Sequence, residues 1–576
     1  MIVHISGYLN AHPHLKLFGQ IWLLTTLLST AATLLINPTW GFYDSFMAVL
    51  ASDNTTGFYI NESFHLGLSP TYKALRILHT CFSSLPWAGV MMFLCWIYIQ
   101  SLSVYMIAVA VGIDRYRLRS LFLIWALLLI FIWGFSFIEY SFTGMGILMS
   151  FISLVAIHHV WSGVTSDRRR WLLSAILSIG FIAGFCLRIE SGLGGSLMGV
   201  LFILMRERSL IRLLKMSVFP LLFSSAFFLR FYMVLGDHYY FKTVDPIVFY
   251  VTDSHNSPPL AGRDSNEAVK IKLIKASFLI DSAQFNYDIY SRLAQQKWQY
   301  EKAHTLKPLE ACRQIYQVAS PTIKTNLPLT FIYLLIGAIV LLSTVFSAQR
   351  KGFYIALTFN STFILIIAVL SYSMKMEKWH YVPLIQTALL CNLLYLSHTF
   401  DLRRYRQGIV IRLALVVIAA VLVTGYIVDI RANHKNIEEK KQIASGIFAG
   451  SDDKVIFLDV NTREVLDDFV YSRYTRRTNI YFYDMCQFDY LTETENRLNH
   501  LCGCNAHSAK DFFEYLKKNS ANIDYYSTPP RVSLLSEFMD RIYGIKVVFR
   551  AVKETPLKNN HYGLESIVQY KIEFPQ

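Results

Sequence analysis

Three short stretches of this chain carry residues able to do chemistry at a membrane surface. The first is Trp40-Gly41-Phe42-Tyr43-Asp44-Ser45-Phe46-Met47. Its carboxylate, Asp44, sits among aromatic and apolar neighbours, where partial desolvation raises basicity and suits a general base. The same residue could instead be the N-cap of a helix over 45–51. The second stretch is Arg188-Ile189-Glu190, at the end of an apolar run. Charges there are costly unless used or paired. Arg188 can clamp a phosphate through two hydrogen bonds, or form a structural ion pair with Glu139 or Glu190. The third is Lys375-Met376-Glu377-Lys378-Trp379-His380-Tyr381. It reads equally as a phosphate-binding turn and as an anchoring belt of Trp, Tyr and Lys.

These residues need elements to position them, and composition says which kind. The chain has 576 residues, 54% hydrophobic and 16% charged, against about a quarter charged in soluble proteins. Its apolar residues come in blocks of about 17–20, the length that crosses a bilayer core. Eleven spans are predicted, at 19–37, 86–112, 121–138, 145–162, 171–187, 192–205, 216–235, 328–346, 353–372, 381–399 and 409–429. With a cytoplasmic amino terminus, the basic groups Arg115/Arg117/Arg119, Arg168–Arg170, Arg206/Arg208/Arg212, Arg350/Lys351 and Arg403/Arg404/Arg406 all fall inside. That agreement with the positive-inside rule sets the orientation. Asp44, Glu139, Arg188, Glu190, Lys375, Lys378 and His380 then share the outer face. The expected location is the inner (plasma) membrane, with the bilayer as partner.

Residues 430–576 hold 20 Lys+Arg and 20 Asp+Glu, so the net charge of +14 belongs wholly to residues 1–429. It is a topology signal and argues against a nucleic-acid partner. The expected organisation is a membrane domain over 1–429, with outer loops 38–85 and 236–327, and an extracytoplasmic domain over 430–576. Within the loop 38–85, Ser69-Pro70 starts an interfacial helix carrying Leu75, Leu78, Cys81 and Phe82 on one face.

The tail reads as a small α/β domain. Strands are predicted at 454–460, 479–483, 545–550 and 566–574, with a helix over 509–519. The fold class is therefore mainly α, a polytopic helical bundle with a small α/β carboxyl-terminal domain. Cys502-Gly503-Cys504 lacks the second cysteine pair that a zinc site usually needs. A disulfide from Cys486 to Cys502 or Cys504 suits an oxidising compartment better.

An acidic residue soon after the first span, then an interfacial helix ending in Pro86-Trp87, resembles the GT-C class of membrane glycosyltransferases. More narrowly, the chain resembles bacterial polytopic proteins with an Asn-Asp-Asp-x-x-Met motif in the first outer loop. Phe42-Tyr43-Asp44-Ser45-Phe46-Met47 matches that motif at Asp44 and Met47. Thr56-Gly57, Leu85-Pro86-Trp87-Ala88-Gly89 and Leu187-Arg188-Ile189-Glu190 also fit, the last resembling an Arg-Pro-Glu element. The resemblance covers residues 1–200 by motif and the rest by architecture.

It implies a sugar donor on a polyprenyl phosphate and a glycan, lipid or protein acceptor, with Asp44 as base. Arg188, with Lys375, Lys378 or His380, would hold the lipid phosphate, and Glu139 and Glu190 would be supporting acids. A divalent metal at Asp44 with Glu139 or Glu190 is compatible with this set and not required by it. Two other readings of the same features are an envelope polysaccharide polymerase or ligase, and a non-catalytic transport or assembly protein.

Overall fold

The computed structural model describes residues 13–40, 69–111 without 83, 118–236 without 165 and 208, 247, 250, 251, 262–275, and 279–303 without 282 and 283. It further describes 308–346, 350–373, 378–399, 409–448, 454–459, 480–488 without 483 and 484, 498–519, 523–556 and 566–575. Asp44 with its expected helix, Lys375, and the side chain of Cys486 lie outside the described set.

The membrane part begins with α1 (Pro13–Ile36), β1 (Thr39–Trp40), α2 (Ser69–Cys81) and α3 (Trp87–Ala110). Next come α4 (Leu118–Leu128), a π-helical turn (Leu129–Trp133), α5 (Gly134–Ile138) and β2 (Glu139–Tyr140). Then follow α6 (Phe142–Gly163), α7 (Asp167–Leu187), α8 (Ile189–Arg206) and α9 (Leu210–Gly236). Nine helices among the described residues are long and apolar enough to cross a membrane. The other two expected spans, 328–346 and 381–399, are helical as well: α13 (Leu327–Phe346) and α15 (Lys378–Thr399). Between them lies α14 (Arg350–Ser373). Ahead of α13, α12 (Pro308–Thr325) meets it at a 100° bend.

Helix α6 is the axis of the bundle, with 89% of its apolar window buried. It packs on α3, α7, α8 and α15. With lipid outside, apolar side chains gain little from facing one another, so close backbone approach and hydrogen bonds hold such helices together. Gly146 supplies the approach: a Cβ there would lie 2.9 Å from the Gly184 carbonyl oxygen and 2.9 Å from Ser191 Cβ. Tyr98 and Ser153 share a hydrogen bond of 2.9 Å between α3 and α6, and Trp161 Nε1 donates to Ser174 Oγ at 2.8 Å between α6 and α7. Helices α13, α14 and α15 are joined by a buried polar set. Tyr333 OH donates to Asn360 Oδ1 at 2.8 Å, and Asn360 and Asn392 exchange bonds of 3.2 and 3.1 Å.

The outer loop and the tail build a second body. From the loop come α10 (Ser265–Lys275), β3 (Leu279–Asp281) and α11 (Tyr287–Ala303). Helix α16 (Ile409–Phe448) leads into β4 (Val455–Leu458), β5 (Ile480–Phe482), β6 (Met485–Phe488), α17 (Ala509–Asn519), β7 (Ile523–Ser527), α18 (Pro529–Tyr543), β8 (Val548–Pro556) and β9 (Ser566–Glu573). The five-stranded sheet has the order β5-β4-β7-β9-β8, with β5, β4 and β7 parallel and β9 antiparallel to both neighbours.

Alternation along the strands splits this sheet's two faces. Ile456, Leu458, Tyr526 and Ile567 join the apolar cluster of the bundle. Phe457, Tyr525, Val568 and Tyr570 join a second core with α17, α18 and the loop residues Val269, Leu273, Phe285 and Leu293. Phe285 stacks on Phe538 at 5.7 Å, and β3 pairs in parallel with β6. The loop 236–327, grouped by sequence with the membrane part, thus contributes to the tail's core.

Gly146→Ala places a methyl group where no room exists, so it is expected to destabilise the bundle by about 1–3 kcal/mol. Gly19→Ala, with nothing within 4 Å, is expected to leave stability unchanged. Thermal unfolding of both variants in detergent checks the contrast.

Candidate functional site

The charged candidates gather at one end of the bundle because the chain reverses there repeatedly. Glu139 and Tyr140 form β2 between α5 and α6, in parallel register with Thr39 and Trp40 of β1. Two residues further, Ser141 caps α6 by accepting from the Gly144 amide at 2.8 Å. Gly144 also admits the first turns of α15: a Cβ there would lie 3.0 Å from Pro383 Cγ. Lys378, the first residue of α15, is thereby brought to Glu139.

Lys378 Nζ donates to Glu139 Oε2 at 2.8 Å, and Asn433 Nδ2 of α16 donates to Glu139 Oε1 at 3.2 Å. Both carboxylate oxygens are therefore bonded, one by a cation and one by an amide. Asp429, one helical turn before Asn433, adds its field to both Lys378 and Glu139. On the same helix, His434 Nε2 lies 2.8 Å from the Ile36 carbonyl oxygen and 3.2 Å from that of Asn37. Asn37 ends α1 in the left-handed region, at φ 47°, which asparagine tolerates better than most residues. Helix α16 thus holds the root of the first outer loop, four residues ahead of the stretch that contains Asp44.

Arg188 occupies the corner between α7 and α8. It is extended, at φ −163° and ψ 127°, and serves as the C-cap of one helix and the N-cap of the next. Its Nη1 donates to Thr143 Oγ1 at 3.0 Å, and its Nε lies 3.4 Å from Glu190 Oε2. Glu190 is 78% exposed, so solvent screens this pair and it contributes little. Arg188 is paired with Glu190, whereas Glu139 is paired with Lys378. His380 is partly buried on the first turn of α15.

Beside the Glu139–Lys378 pair lies a cleft of about 410 Å³, open to solvent, whose lining includes Trp96, Phe135, Ser136, Glu139, Lys378 and Trp379. Aromatic walls with a few converging polar groups are the usual make-up of a small-molecule site. Among the described residues no group of three or more His, Cys, Asp or Glu side chains is arranged to hold a metal ion. A metal at Glu139 would have to displace Lys378 or Asn433. In the tail, Cys502 and Cys504 are free thiols.

Sequence reasoning picked Glu139, Arg188, Lys378 and His380, and the structure brings Glu139 and Lys378 into contact. It missed Trp96, Thr143, Asp429, Asn433 and His434. Asp429 and Asn433 had a readable signal, their i,i+4 spacing on a helix that continues past residue 429. Trp96 had none, being one apolar residue in an apolar span.

The described residues define an integral, multi-pass membrane protein with a small α/β body attached. No family model matches the chain, and no curated protein matches it. Among solved structures it is similar to the crystal structure of ArnT from Cupriavidus metallidurans bound to undecaprenyl phosphate. The match has 12% identity and a TM-score of 0.35, covering 97% of this chain and 98% of that one.

The Glu139–Lys378 pair is open to test by a double-mutant cycle of Glu139→Gln and Lys378→Met. Lys378 is 36% exposed, so a coupling of about 0.5–1 kcal/mol is expected from thermal unfolding. Burial, with Cys504 beside it, pushes the Cys502 thiol up to about 12. Cys502 then stays protonated at neutral pH, and thiolate is the reactive form. Iodoacetamide at pH 8 is expected to label it at least about tenfold more slowly than the exposed Cys81, by peptide mass spectrometry.

Proposed function

We propose that this protein is a GT-C type membrane glycosyltransferase that moves a sugar from a polyprenyl-phosphate donor to an envelope glycan, lipid or protein. The observation that carries the reading is the convergence at one end of the bundle. There a guanidinium, Arg188, bonds Thr143, four residues from the carboxylate Glu139, which borders an aromatic cleft. The strand β1, which leads towards Asp44, pairs with Glu139 and Tyr140 in the same place.

The residues divide the work as follows. Asp44 takes the proton of the acceptor hydroxyl as its oxygen attacks the anomeric carbon. The bond from that carbon to the phosphate oxygen breaks, and the configuration inverts. Arg188 stabilises the charge on the departing lipid phosphate, with Lys375 and His380 as further donors. Lys378 serves mainly as the partner of Glu139. This chemistry belongs on the outer face of the inner membrane, with the amino terminus cytoplasmic. The second body stands outside, where it shapes acceptor binding, and the domain division is at residues 429/430.

A transfer assay tests the reading. Purified protein in detergent is offered envelope lipid extract containing polyprenyl-linked sugars. Asp44→Asn is expected to slow transfer by about 10²–10⁴-fold, and Arg188→Gln by about 10²–10³-fold. Equal transfer by wild type and Asp44→Asn would remove Asp44 as base. Absence of transfer by wild type from a competent donor pool would remove the enzyme reading.

A further inference from the structure

The cleft beside Glu139 contains a donor with nothing to bond. Trp96 is 1% exposed, and its Nε1 has no hydrogen-bond partner among the described residues. Buried polar groups are nearly always satisfied, so an orphan of this kind calls for a reason. Trp96 lines the cleft together with Glu139, Ser141 and Lys378. An indole N–H only donates, so its missing partner is an acceptor such as an oxygen.

Charge decides which oxygen. Lys378 faces two carboxylates, Glu139 at 2.8 Å and Asp429. One cation against two anions makes the cleft hostile to a phosphate. Neutral hydroxyls suit it well. A carboxylate accepts from them, an ammonium donates to them, and the hydroxyls of Ser136 and Ser141 can do both. Phe135 and Trp379 supply apolar wall for the ring carbons. The volume of about 410 Å³ falls within the range of small-molecule pockets, about 300–1,000 Å³.

We propose that this cleft is a subsite for one neutral, polyhydroxylated ring, with Trp96 Nε1 donating to a ring or hydroxyl oxygen and Glu139 and Lys378 holding hydroxyls. The proposal deepens the glycosyltransferase reading and rests on it for the identification of that ring with the transferred sugar. It separates two recognition tasks, since the lipid phosphate falls to Arg188 and the sugar to the cleft.

The test uses the full chain in detergent and methyl glycosides of glucose, galactose and mannose as probes, read by saturation-transfer NMR. Trp96→Phe keeps an aromatic ring and removes the N–H. It is expected to weaken the best-bound glycoside by about tenfold, the worth of one hydrogen bond, while undecaprenyl phosphate still binds. Glu139→Gln is expected to weaken the same glycoside and gives the comparison a second variant if Trp96→Phe fails to fold. Wild type that binds none of the glycosides, or variants that bind them as wild type does, would overturn the subsite. Glycoside binding that depends on Trp96 in a protein without transfer activity would uphold the subsite and remove the enzyme reading. Transfer with an unchanged KM in Trp96→Phe would do the reverse.

Discussion

Inside a bilayer no water answers an unpaired peptide group, and every break in a helix has to be repaired by protein. This bundle has two such irregularities beside its charged end, and both shape it. In the π-helical turn, the Ile130 carbonyl accepts from Tyr426 OH at 2.7 Å and the Ile132 carbonyl from Gln386 Nε2 at 2.6 Å. These donors come from α16 and α15, so the repair draws both helices to the short segment that ends in Glu139. At the other break, a single extended residue separates α7 from α8. The flanking bonds survive, from the Arg188 amide to Gly184 O at 3.3 Å and from the Gly192 amide to Arg188 O at 2.9 Å. A corner that needs no outside repair leaves the Arg188 side chain to reach Thr143.

The spans were legible because a block of about twenty apolar residues is a long signal with few competing meanings. Legibility fell where contacts join distant parts of the chain. Strand β7 lies at the centre of its sheet, yet Ile523-Asp524-Tyr525-Tyr526-Ser527 carries a buried acid that does not read as strand. Asp524 is answered by Lys454, 70 positions away, at 2.8 Å. The shared core of loop and tail was unreadable for the same reason, since Phe285 and Phe538 meet only in the folded chain.

The candidate site divides similarly. Charge in an apolar context singled out Glu139, Arg188 and Lys378, because each is costly unless paired or used. Their pairing was not readable. Sequence allowed Arg188 to take Glu139 or Glu190, and the cap at Ser141 with the narrow fit at Gly144 awarded Glu139 to Lys378. The result leaves one guanidinium and one acid-rich cleft as separate neighbourhoods a few residues apart along α6.

Helix α16 runs 40 residues without interruption, about 60 Å at 1.5 Å per residue. Half of that length crosses hydrocarbon and the rest stands beyond it, carrying the sheet. Along the way the helix touches the Ile130 carbonyl through Tyr426, Glu139 through Asn433, and the end of α1 through His434. A rod of this kind has no hinge at the membrane boundary. Tilting the α/β body therefore levers the acid in the cleft and the root of the first outer loop together, so whatever docks on that body acts mechanically on the membrane end as one unit.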